Sequence, residues 1–337
     1  MIRLVIIGLG HWGPNLAKAV ATHPEALVVA GVEPSAERRA FIAKKLPDLT
    51  LYASLKECLN HHPLDAAIIA TPASYHHEVA LEAIENGLHL LIEKPLAGNQ
   101  QEASEIVECA SQNDRILMTG HIFLYNDSLR YCKSLAQSAD FGSLRHVRSV
   151  RTNYGPFRKD VNALWDLAAH DISIFNYLFE SFPINVSCTG HSLSGNSIQD
   201  MAQGSLVYAN GMIGSFFVSW LDPIKIRQVT LVGEEQVALF DDMTPDTPVH
   251  LYQRKDTNGY SDSYESFRSL IEEQKETFPR PSNSTPLINE CCEFIDCIIH
   301  NRAPHSDGAF GLSVVQILEA LDESIGSGGK QIEIRSR

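Results

Sequence analysis

Gly8-Leu9-Gly10-His11-Trp12-Gly13 directly follows the apolar run at residues 4–7. The spacing G-x-G-x-x-G between a strand-like run and a helix-like run is typical of a turn in which glycines let the backbone approach a diphosphate at a helix N-terminus. Glu33 ends the next apolar run, where a carboxylate can accept hydrogen bonds from an adenosine ribose and repel a 2′-phosphate. These residues predict a dinucleotide site that favours NAD over NADP, although a plain glycine turn would show the same spacing. Arg38 and Arg39 are close enough to weaken that preference, but we interpret them as solvated helix cations.

The first part of the chain alternates short β-rich runs with helical patterns, which indicates a parallel sheet built from βαβ units. We predict strands at residues 4–8, 27–32, 65–70, 89–93 and 116–121. Ser54 with Glu57 and Asn99 with Glu102 resemble helix capping boxes, and Gly87 suits the position after a helix. Residues 1–122 are therefore expected to form an α/β Rossmann domain with a doubly wound parallel sheet.

The pattern changes after residue 126, and residues 123–337 are expected to form an α+β domain that binds substrate and mediates oligomerisation. Its large, open, mostly antiparallel sheet should use runs at 144–154, 184–193, 204–221 and 227–241. Asn210-Gly211 predicts a type I′ hairpin turn. We expect helices within 164–179 and 286–325, and a polar surface excursion over 252–283.

Composition excludes several classes of protein. The chain has 337 residues, 44% hydrophobic and 20% charged, which suits a globular protein of two domains. A net charge of -14 disfavours nucleic-acid binding, and no apolar run is long enough to span a bilayer. Seven scattered cysteines without a Cys-x-x-Cys pair suggest neither a disulfide framework nor a metal site. Residues 1–7 are expected to be a strand and not a signal peptide, so we predict a cytoplasmic protein.

Two further segments carry residues suited to chemistry. Glu93-Lys94-Pro95 ends a predicted strand, at the sheet edge where ligands bind, so Lys94 could face a nicotinamide; alone, it could equally be a surface lysine. Asp166 and His170 are four residues apart and therefore share one helix face. A carboxylate beside an imidazole can orient the ring for acid/base work, although such a pair on a helix surface is common.

Taken together, these segments resemble the Gfo/Idh/MocA family, named for glucose-fructose oxidoreductase and inositol dehydrogenase. The resemblance spans nearly the whole chain and rests on the order of its motifs. They are the glycine turn with Trp12, Thr71-Pro72 with His76, Glu93-Lys94-Pro95, the Asp166/His170 pair, and Asp307-Gly308 followed by a helix with Leu318, Glu319, Ala320 and Ser324. In this family that last helix packs back near the nucleotide domain.

The resemblance implies that Lys94, Asp166 and His170 form the catalytic set, brought together at the nicotinamide face. His170 would take the hydroxyl proton, Lys94 would stabilise negative charge developing on that oxygen, and Asp166 would orient both. It implies a further set of cofactor-binding residues: Gly8, Gly10, His11, Trp12, Gly13, Glu33, Thr71, Pro72, His76, Glu93 and Lys94. No metal is implied.

Within the family, residues 121–126 and 153–156 followed by Trp165-Asp166 are similar to a subgroup found with nucleotide-sugar and cell-surface polysaccharide biosynthesis, the UDP-N-acetylglucosaminuronate 3-dehydrogenases. This implies oxidation or reduction at C3 of a nucleotide-linked sugar. Many members of the family have an arginine at the position of Leu124 and a glycine-rich stretch at the position of residues 163–165. The substrate contacts are therefore the least transferable part of the resemblance. We predict substrate contacts by Tyr125, Asn126, Arg151, Asn153, Arg158 and Trp165.

Two alternative functions remain open: a dehydrogenase of a free sugar or of inositol, and a non-catalytic NAD-binding regulator. The catalytic set argues against the regulator. The run at 214–221 contains Phe216, Phe217, Val218 and Trp220 and is therefore apolar on both faces, which predicts a homodimer or homotetramer formed through that sheet.

Overall fold

The computed structural model describes residues 1–193, 195, 198–254, 271–274 and 284–334, with the backbone alone for 271–274. Contacts divide the chain into two compact units. Unit 1 comprises Met1–Tyr125 and Ser284–Gln316, and unit 2 comprises Asn126–Asn283 and Ile317–Arg337. The predicted boundary after residue 122 stays a prediction, and the inclusion of 284–316 in unit 1 was not anticipated.

Unit 1 contains a six-stranded parallel sheet in the order β3-β2-β1-β4-β5-β6. This is the strand order of a Rossmann fold. The strands are β1 (Ile2–Ile7), β2 (Ala26–Val32), β3 (Thr50–Tyr52), β4 (Ala66–Ile69), β5 (His89–Glu93) and β6 (Leu117–Gly120). The helices are α1 (Gly13–Val20), α2 (Ala36–Lys45), α3 (Leu55–Leu59), α4 (His76–Glu85), α5 (Gln100–Gln112) and α8 (Pro286–His300).

The predicted helix caps and the predicted glycine after a helix are present in this unit. Ser54 Oγ accepts a hydrogen bond from Glu57 N at 3.2 Å, and Asn99 Oδ1 accepts one from Glu102 N at 2.9 Å. Gly87 follows α4 with a φ of +82°, a conformation that glycine adopts without a steric penalty. All five predicted strands are confirmed. The three-residue β3 was missed because it is too short to show a periodic pattern.

Unit 2 contains a nine-stranded sheet in the order β14-β13-β12-β11-β7-β10-β9-β8-β15. Only β10 and β7 pair in parallel, so the prediction of a mostly antiparallel sheet is confirmed. The strands are β7 (Leu144–Thr152), β8 (Pro183–His191), β9 (Met201–Tyr208), β10 (Ile213–Ser219), β11 (Ile226–Gly233), β12 (Gln236–Asp241), β13 (Val249–Arg254), β14 (Ile271–Gln274) and β15 (Ile332–Glu333). The helices are α6 (Asp127–Ala136) and α7 (Ala169–Phe179), while α9 (Gly308–Gly326) has residues in both units.

Three details of unit 2 differ from expectation. The hairpin between β9 and β10 is real, but only Gly211 has positive φ (+80°) and Asn210 does not, so the turn is not type I′. The run at 227–241, which was predicted as a single run of the sheet, forms two antiparallel strands, β11 and β12. Of the predicted excursion at 252–283, residues up to Arg254 continue β13 and Ile271–Gln274 form β14; residues 255–270 and 275–283 lie outside the described part.

Helix α7 packs on one face of this sheet, where a Cβ added to Gly214 would lie 2.7 Å from the Phe175 ring. The segment before α7, Leu164–Ala168, forms a π-helical turn, a rare feature that is often found at functional sites. In the described residues, no helix is both long enough and apolar enough to cross a membrane.

Candidate active site

The glycine turn after β1 has the shape that a diphosphate requires. Gly8 has a φ of +91°, and a Cβ there would lie 2.7 Å from the backbone of Ala70 and Thr71. A Cβ on Gly13 would lie 2.1 Å from the Gly8 carbonyl oxygen. In contrast, a Cβ on Gly10 would meet no atom of the described residues within 4 Å. Gly8 and Gly13 therefore build the turn, whereas Gly10 leaves open space beside it.

Helix α1 begins at this turn, and no side chain caps its first N–H groups. Its first turn contains no acidic residue, so the partial positive charge of the helix terminus is not neutralised there. His11 and Trp12 are exposed beside it, with their rings edge-to-face at 5.8 Å. The turn, the helix terminus and the open space at Gly10 fit the diphosphate of a dinucleotide.

Glu33, at the end of β2, is tied to this turn. Its Oε2 accepts a hydrogen bond from Leu9 N at 3.2 Å, and its Oε1 accepts one from Ser35 N at 3.1 Å. Since each carboxylate oxygen has two lone pairs, acceptor capacity remains for a ribose hydroxyl. Glu33 therefore lies where an adenosine ribose is expected.

The two arginines after Glu33 are not solvated helix cations, which corrects our interpretation. Arg38 donates to the carbonyl oxygens of Leu9 at 2.9 Å and Gly10 at 2.7 Å. Arg39 donates to the Glu33 carbonyl oxygen at 2.6 Å. Both guanidinium groups therefore hold backbone carbonyls around the proposed ribose site.

Thr71, Pro72 and His76 follow β4 at the carboxyl edge of the sheet. Thr71 Oγ1 is buried and has no hydrogen-bond partner among the described residues, so it is available to a ligand. His76 is 1% exposed, and its two ring nitrogens lie 2.9 Å from the carbonyl oxygens of Thr71 and Pro95. Burial lowers the pKa of His76, and the contacts with these backbone carbonyls offset only part of that shift. His76 is therefore placed to brace the two loops, with its nitrogens engaged by backbone.

Glu93 is the last residue of β5 and Lys94 follows it, and both are half-buried. Glu93 Oε2 accepts a hydrogen bond from Lys94 N at 3.3 Å. Burial raises the pKa of Glu93 to about 7, although the Lys94 charge opposes this shift. His121, beyond the end of β6, is fully buried, and burial followed by the Lys94 charge lowers its pKa to about 3. The Lys94 ammonium therefore lies in a partly dry setting, where charge interactions are stronger than in water.

In unit 2, Asp166 and His170 are distinguished by their exposure. From residue 163 to residue 176 every side chain is buried except these two, which are half-buried. They are four residues apart across the junction of the π-helical turn with α7. One partly accessible edge of a buried helix therefore presents a carboxylate and an imidazole.

The Asp166 carboxylate has fixed partners. Its Oδ1 accepts a hydrogen bond from Arg158 Nη1 at 3.1 Å, and its Oδ2 accepts one from Trp220 Nε1 at 3.2 Å. Trp220 is fully buried, and Arg158 is also paired with Asp160. Bonds of this kind restrict the carboxylate to one orientation, as expected of a group that positions others.

The structure buries two of the residues that we predict to contact substrate. Tyr125 is fully buried, with its hydroxyl 2.9 Å from Ser306 Oγ, and is therefore a core residue of unit 1. Arg151 is 4% exposed and donates through Nε and Nη2 to Asp171 Oδ1 at 3.1 and 3.0 Å. Its charge is therefore used within unit 2 and is not presented to a diphosphate.

The other predicted contacts also have structural roles. Asn126 Oδ1 caps α6, where it accepts a hydrogen bond from Ser128 N at 2.9 Å. Asn153 donates to the Gly155 carbonyl oxygen, and the Trp165 indole donates to Asp322. Of the six predicted substrate residues, Arg158 has the clearest link to the site, through Asp166.

Some residues around the site were not predicted. Trp220 was noted only as apolar, because its bond to Asp166 joins positions 54 residues apart. Asp322, which accepts the hydrogen bond from the Trp165 indole, was also missed. Among the described residues, no group of three or more His, Cys, Asp or Glu side chains could hold a metal ion.

Comparisons with known proteins agree with this geometry. Residues 2–121 match the oxidoreductase family GFO_IDH_MocA, described by its NAD-binding Rossmann fold, and residues 129–238 match the GFO/IDH/MocA C-terminal domain. The UDP-N-acetylglucosamine 3-dehydrogenase of Acidithiobacillus ferrooxidans is 26% identical over 93% of this chain and 94% of its own. Its solved structure aligns with a TM-score of 0.83 and 24% identity over 97% and 98% of the two chains.

Two further proteins are similar. The inositol 2-dehydrogenase of Leifsonia xyli subsp. xyli is 33% identical over 45% of each chain. The structure of GenD2 from gentamicin A biosynthesis in complex with NAD aligns with a TM-score of 0.83 at 20% identity, over 99% of this chain and 97% of its own. Because the two family models together match more than half of the chain, the chain belongs to the Gfo/Idh/MocA family and is an NAD-binding oxidoreductase.

Proposed function

We propose that this protein is an NAD(H)-dependent dehydrogenase that acts on a secondary alcohol of a sugar, at C3 of a nucleotide-linked sugar. The partly accessible edge formed by Asp166 and His170 in a buried helix supports catalysis, because it presents together a carboxylate and an imidazole, the groups that general acid/base chemistry uses. Similarity to a UDP-N-acetylglucosamine 3-dehydrogenase over nearly the full length of both chains supports the substrate class.

The proposed roles follow from the chemistry of each side chain. NAD, when bound, would supply the acceptor for hydride from the alcohol carbon. His170 would take the hydroxyl proton, as a general base held on a rigid helix. Lys94 would stabilise the negative charge that develops on the same oxygen. Asp166, fixed by Arg158 and Trp220, would orient His170.

Glu33 and Arg38 bear on the choice of cofactor. The carboxylate of Glu33 would repel a 2′-phosphate, which supports NAD. The Arg38 guanidinium, held on the Gly10 carbonyl oxygen, places a cation near the same position and reduces the discrimination. We expect a lower Kd for NAD than for NADP, measured by titrating both cofactors against tryptophan fluorescence.

Gly10 offers a selective test of the proposed diphosphate site. Gly10→Ala should weaken NAD binding by about tenfold or more, since its methyl group would occupy the space left for the diphosphate. The free energy of unfolding without cofactor should barely change, because that methyl group meets no protein atom within 4 Å. Gly13→Ala should instead destabilise the protein itself, because its Cβ would lie 2.1 Å from the Gly8 carbonyl oxygen. Unaltered NAD affinity in Gly10→Ala would place the diphosphate elsewhere.

A substrate panel tests the proposed substrate class. UDP- and dTDP-linked hexoses should reduce NAD with a kcat/KM at least about a hundredfold above that of free pyranoses and inositols, because the latter lack the nucleotide's binding energy. The similarity to an inositol 2-dehydrogenase supports the alternative of a free sugar or inositol. Turnover of free sugars or inositols alone would establish that alternative and reject the nucleotide-sugar proposal.

We also propose that unit 2 forms a homodimer or homotetramer through its sheet. Phe216 and Val218 are buried on the face that carries α7, while Phe217 is only half-buried on the other face. A second copy would cover that face. Light scattering should therefore give a mass of two or four times 37.3 kDa, and a constant monomer mass across concentrations would contradict this proposal.

A further inference from the structure

Two neighbouring aromatic side chains of unit 2 are exposed to solvent. Tyr154 is 72% exposed and Phe157 is 51% exposed. Their rings meet edge-to-face, with centroids 5.6 Å apart and planes at 89°. An exposed pair of rings leaves more apolar surface uncovered than a single exposed side chain does, and such a patch marks a surface on which a ligand or partner can bind. The two rings at a right angle offer a flat ligand both a face and an edge.

The backbone before these rings is held in place beside β10. Asn153 N donates a hydrogen bond to the Ser219 carbonyl oxygen at 3.1 Å, and Gly155 N donates one to the Trp220 carbonyl oxygen at 3.0 Å. Gly155 has a φ of +61°, a conformation that favours glycine, so the chain turns there. The turn presents Tyr154 and the residues after Gly155 from a fixed strand end.

The rings are connected to the candidate active site through Trp220. The Phe157 ring lies edge-to-face with the buried Trp220 indole, with centroids 6.4 Å apart. The same indole donates through Nε1 to Asp166 Oδ2 at 3.2 Å. The residue after Phe157 is Arg158, which donates to Asp166 Oδ1 at 3.1 Å. The exposed rings therefore lie beside the carboxylate that we place next to the reacting sugar.

The charge that follows the rings suits a phosphorylated ligand. Arg158 shares its charge between Asp160 and Asp166. Lys159, between them in the sequence, is exposed to solvent. Because the chain as a whole has a net charge of -14, an anionic ligand depends on local cations of this kind. A diphosphate that joins a base to a sugar would therefore meet a cation next to the exposed rings.

We propose that Tyr154 and Phe157 form a nucleobase platform: the base of the nucleotide-linked sugar stacks on these rings while its sugar lies at Asp166 and His170. This inference rests on the proposed function and adds to it the residues that bind the base. Stacking on an aromatic side chain is worth about tenfold or more in affinity, and it accepts different bases because each has a π face. A free sugar or inositol has no such ring, so the platform would favour nucleotide-linked substrates.

The first test measures the binding of UDP by calorimetry, with saturating NAD so that the proposed diphosphate site at Gly10 is occupied. Tyr154→Leu keeps an apolar side chain but removes the ring, and it should raise the Kd of UDP about tenfold or more. Tyr154→Phe keeps the ring and should bind UDP within about twofold of the wild type. The Kd of NAD should be unchanged in both variants. A rise in the Kd of NAD with none for UDP would assign the rings to the adenine of the cofactor and overturn the proposal.

Phe157→Ala tests the second ring, and Phe182→Ala is its matched control because Phe182 is a similarly exposed phenylalanine of unit 2, at 53%. Phe157→Ala should weaken UDP binding, whereas Phe182→Ala should not. If Tyr154→Leu and Phe157→Ala both bind UDP as the wild type does, the platform is rejected. Loss of the oligomer in light scattering, with an unchanged Kd for UDP, would assign the rings to a subunit interface and also reject it.

Steady-state kinetics separates this inference from the proposed function. With a UDP-linked hexose, Tyr154→Leu should raise KM by about the factor seen in the Kd of UDP and leave kcat unchanged, because the base does not touch the reacting carbon. A wild-type KM in Tyr154→Leu and Phe157→Ala would overturn the platform while the nucleotide-sugar activity stands. If the wild type oxidises only free sugars or inositols, the proposed function itself fails, and the platform fails with it.

Discussion

Lys94→Ala should lower kcat by about 10³-fold, the largest effect that we expect from a change in unit 1. Removal of a preorganised donor from a partly dry site removes charge stabilisation from the transition state, and losses of about 10²- to 10³-fold are typical for one such group. A full positive charge should reach the upper end of that range. The measurement is steady-state NAD reduction with the best nucleotide sugar of the panel.

The matched control is Lys56→Ala, which removes an exposed lysine from α3 in the same unit and should leave kcat unchanged. Lys94→Ala should also bind NAD with nearly wild-type Kd, because Lys94 acts on the substrate oxygen in the proposed mechanism. A Kd that rises as much as kcat falls would mean that Lys94 mainly binds cofactor, and full activity would reject the catalytic assignment.

The parallel sheet of unit 1 was predictable because each of its parts is encoded locally. Apolar runs at residues 4–7 and 26–32 precede Gly8 and Glu33, and Ser54 and Asn99 cap the helices that they precede. The glycine turn joins residues only a few positions apart. The membership of segment 284–316 in unit 1 has no local signal, because it depends on contacts with residues far away in the sequence.

The difference between local signals and contacts with distant residues also explains which site residues were predicted. Asp166 and His170 are four positions apart on one helix, so their common edge follows from helix geometry. Tyr125 was predicted to meet substrate, but its hydroxyl partner is Ser306, 181 residues away. The Arg151 guanidinium likewise forms an ion pair with Asp171, a contact between β7 and α7. Burial of a polar side chain depends on its tertiary partner, and a single sequence does not reveal that partner.

The second large effect is expected at His170. His170→Gln should lower kcat/KM by about 10²- to 10⁴-fold, because the amide cannot take a proton while general acid/base catalysis contributes about that factor. The control is His191→Gln, which changes an exposed histidine at the end of β8. Loss of the basic group should also remove the acidic limb of the pH profile, since no imidazole is left to titrate there. A retained limb would assign that titration to another group, and full activity would exclude His170 as the base.

The double variant Lys94→Ala/His170→Gln tests whether the two residues act on one hydroxyl. If Lys94 stabilises the oxygen that His170 deprotonates, each group depends on the other, and the double variant should lose much less than the product of the two single losses. Groups that act on separate steps would give losses that multiply. If the loss in the double variant equals the product of the two single losses, both residues are important, but the proposal that they share one substrate oxygen is rejected. A double variant about as active as His170→Gln alone would support that proposal, because the charge that Lys94 stabilises forms only as the proton leaves.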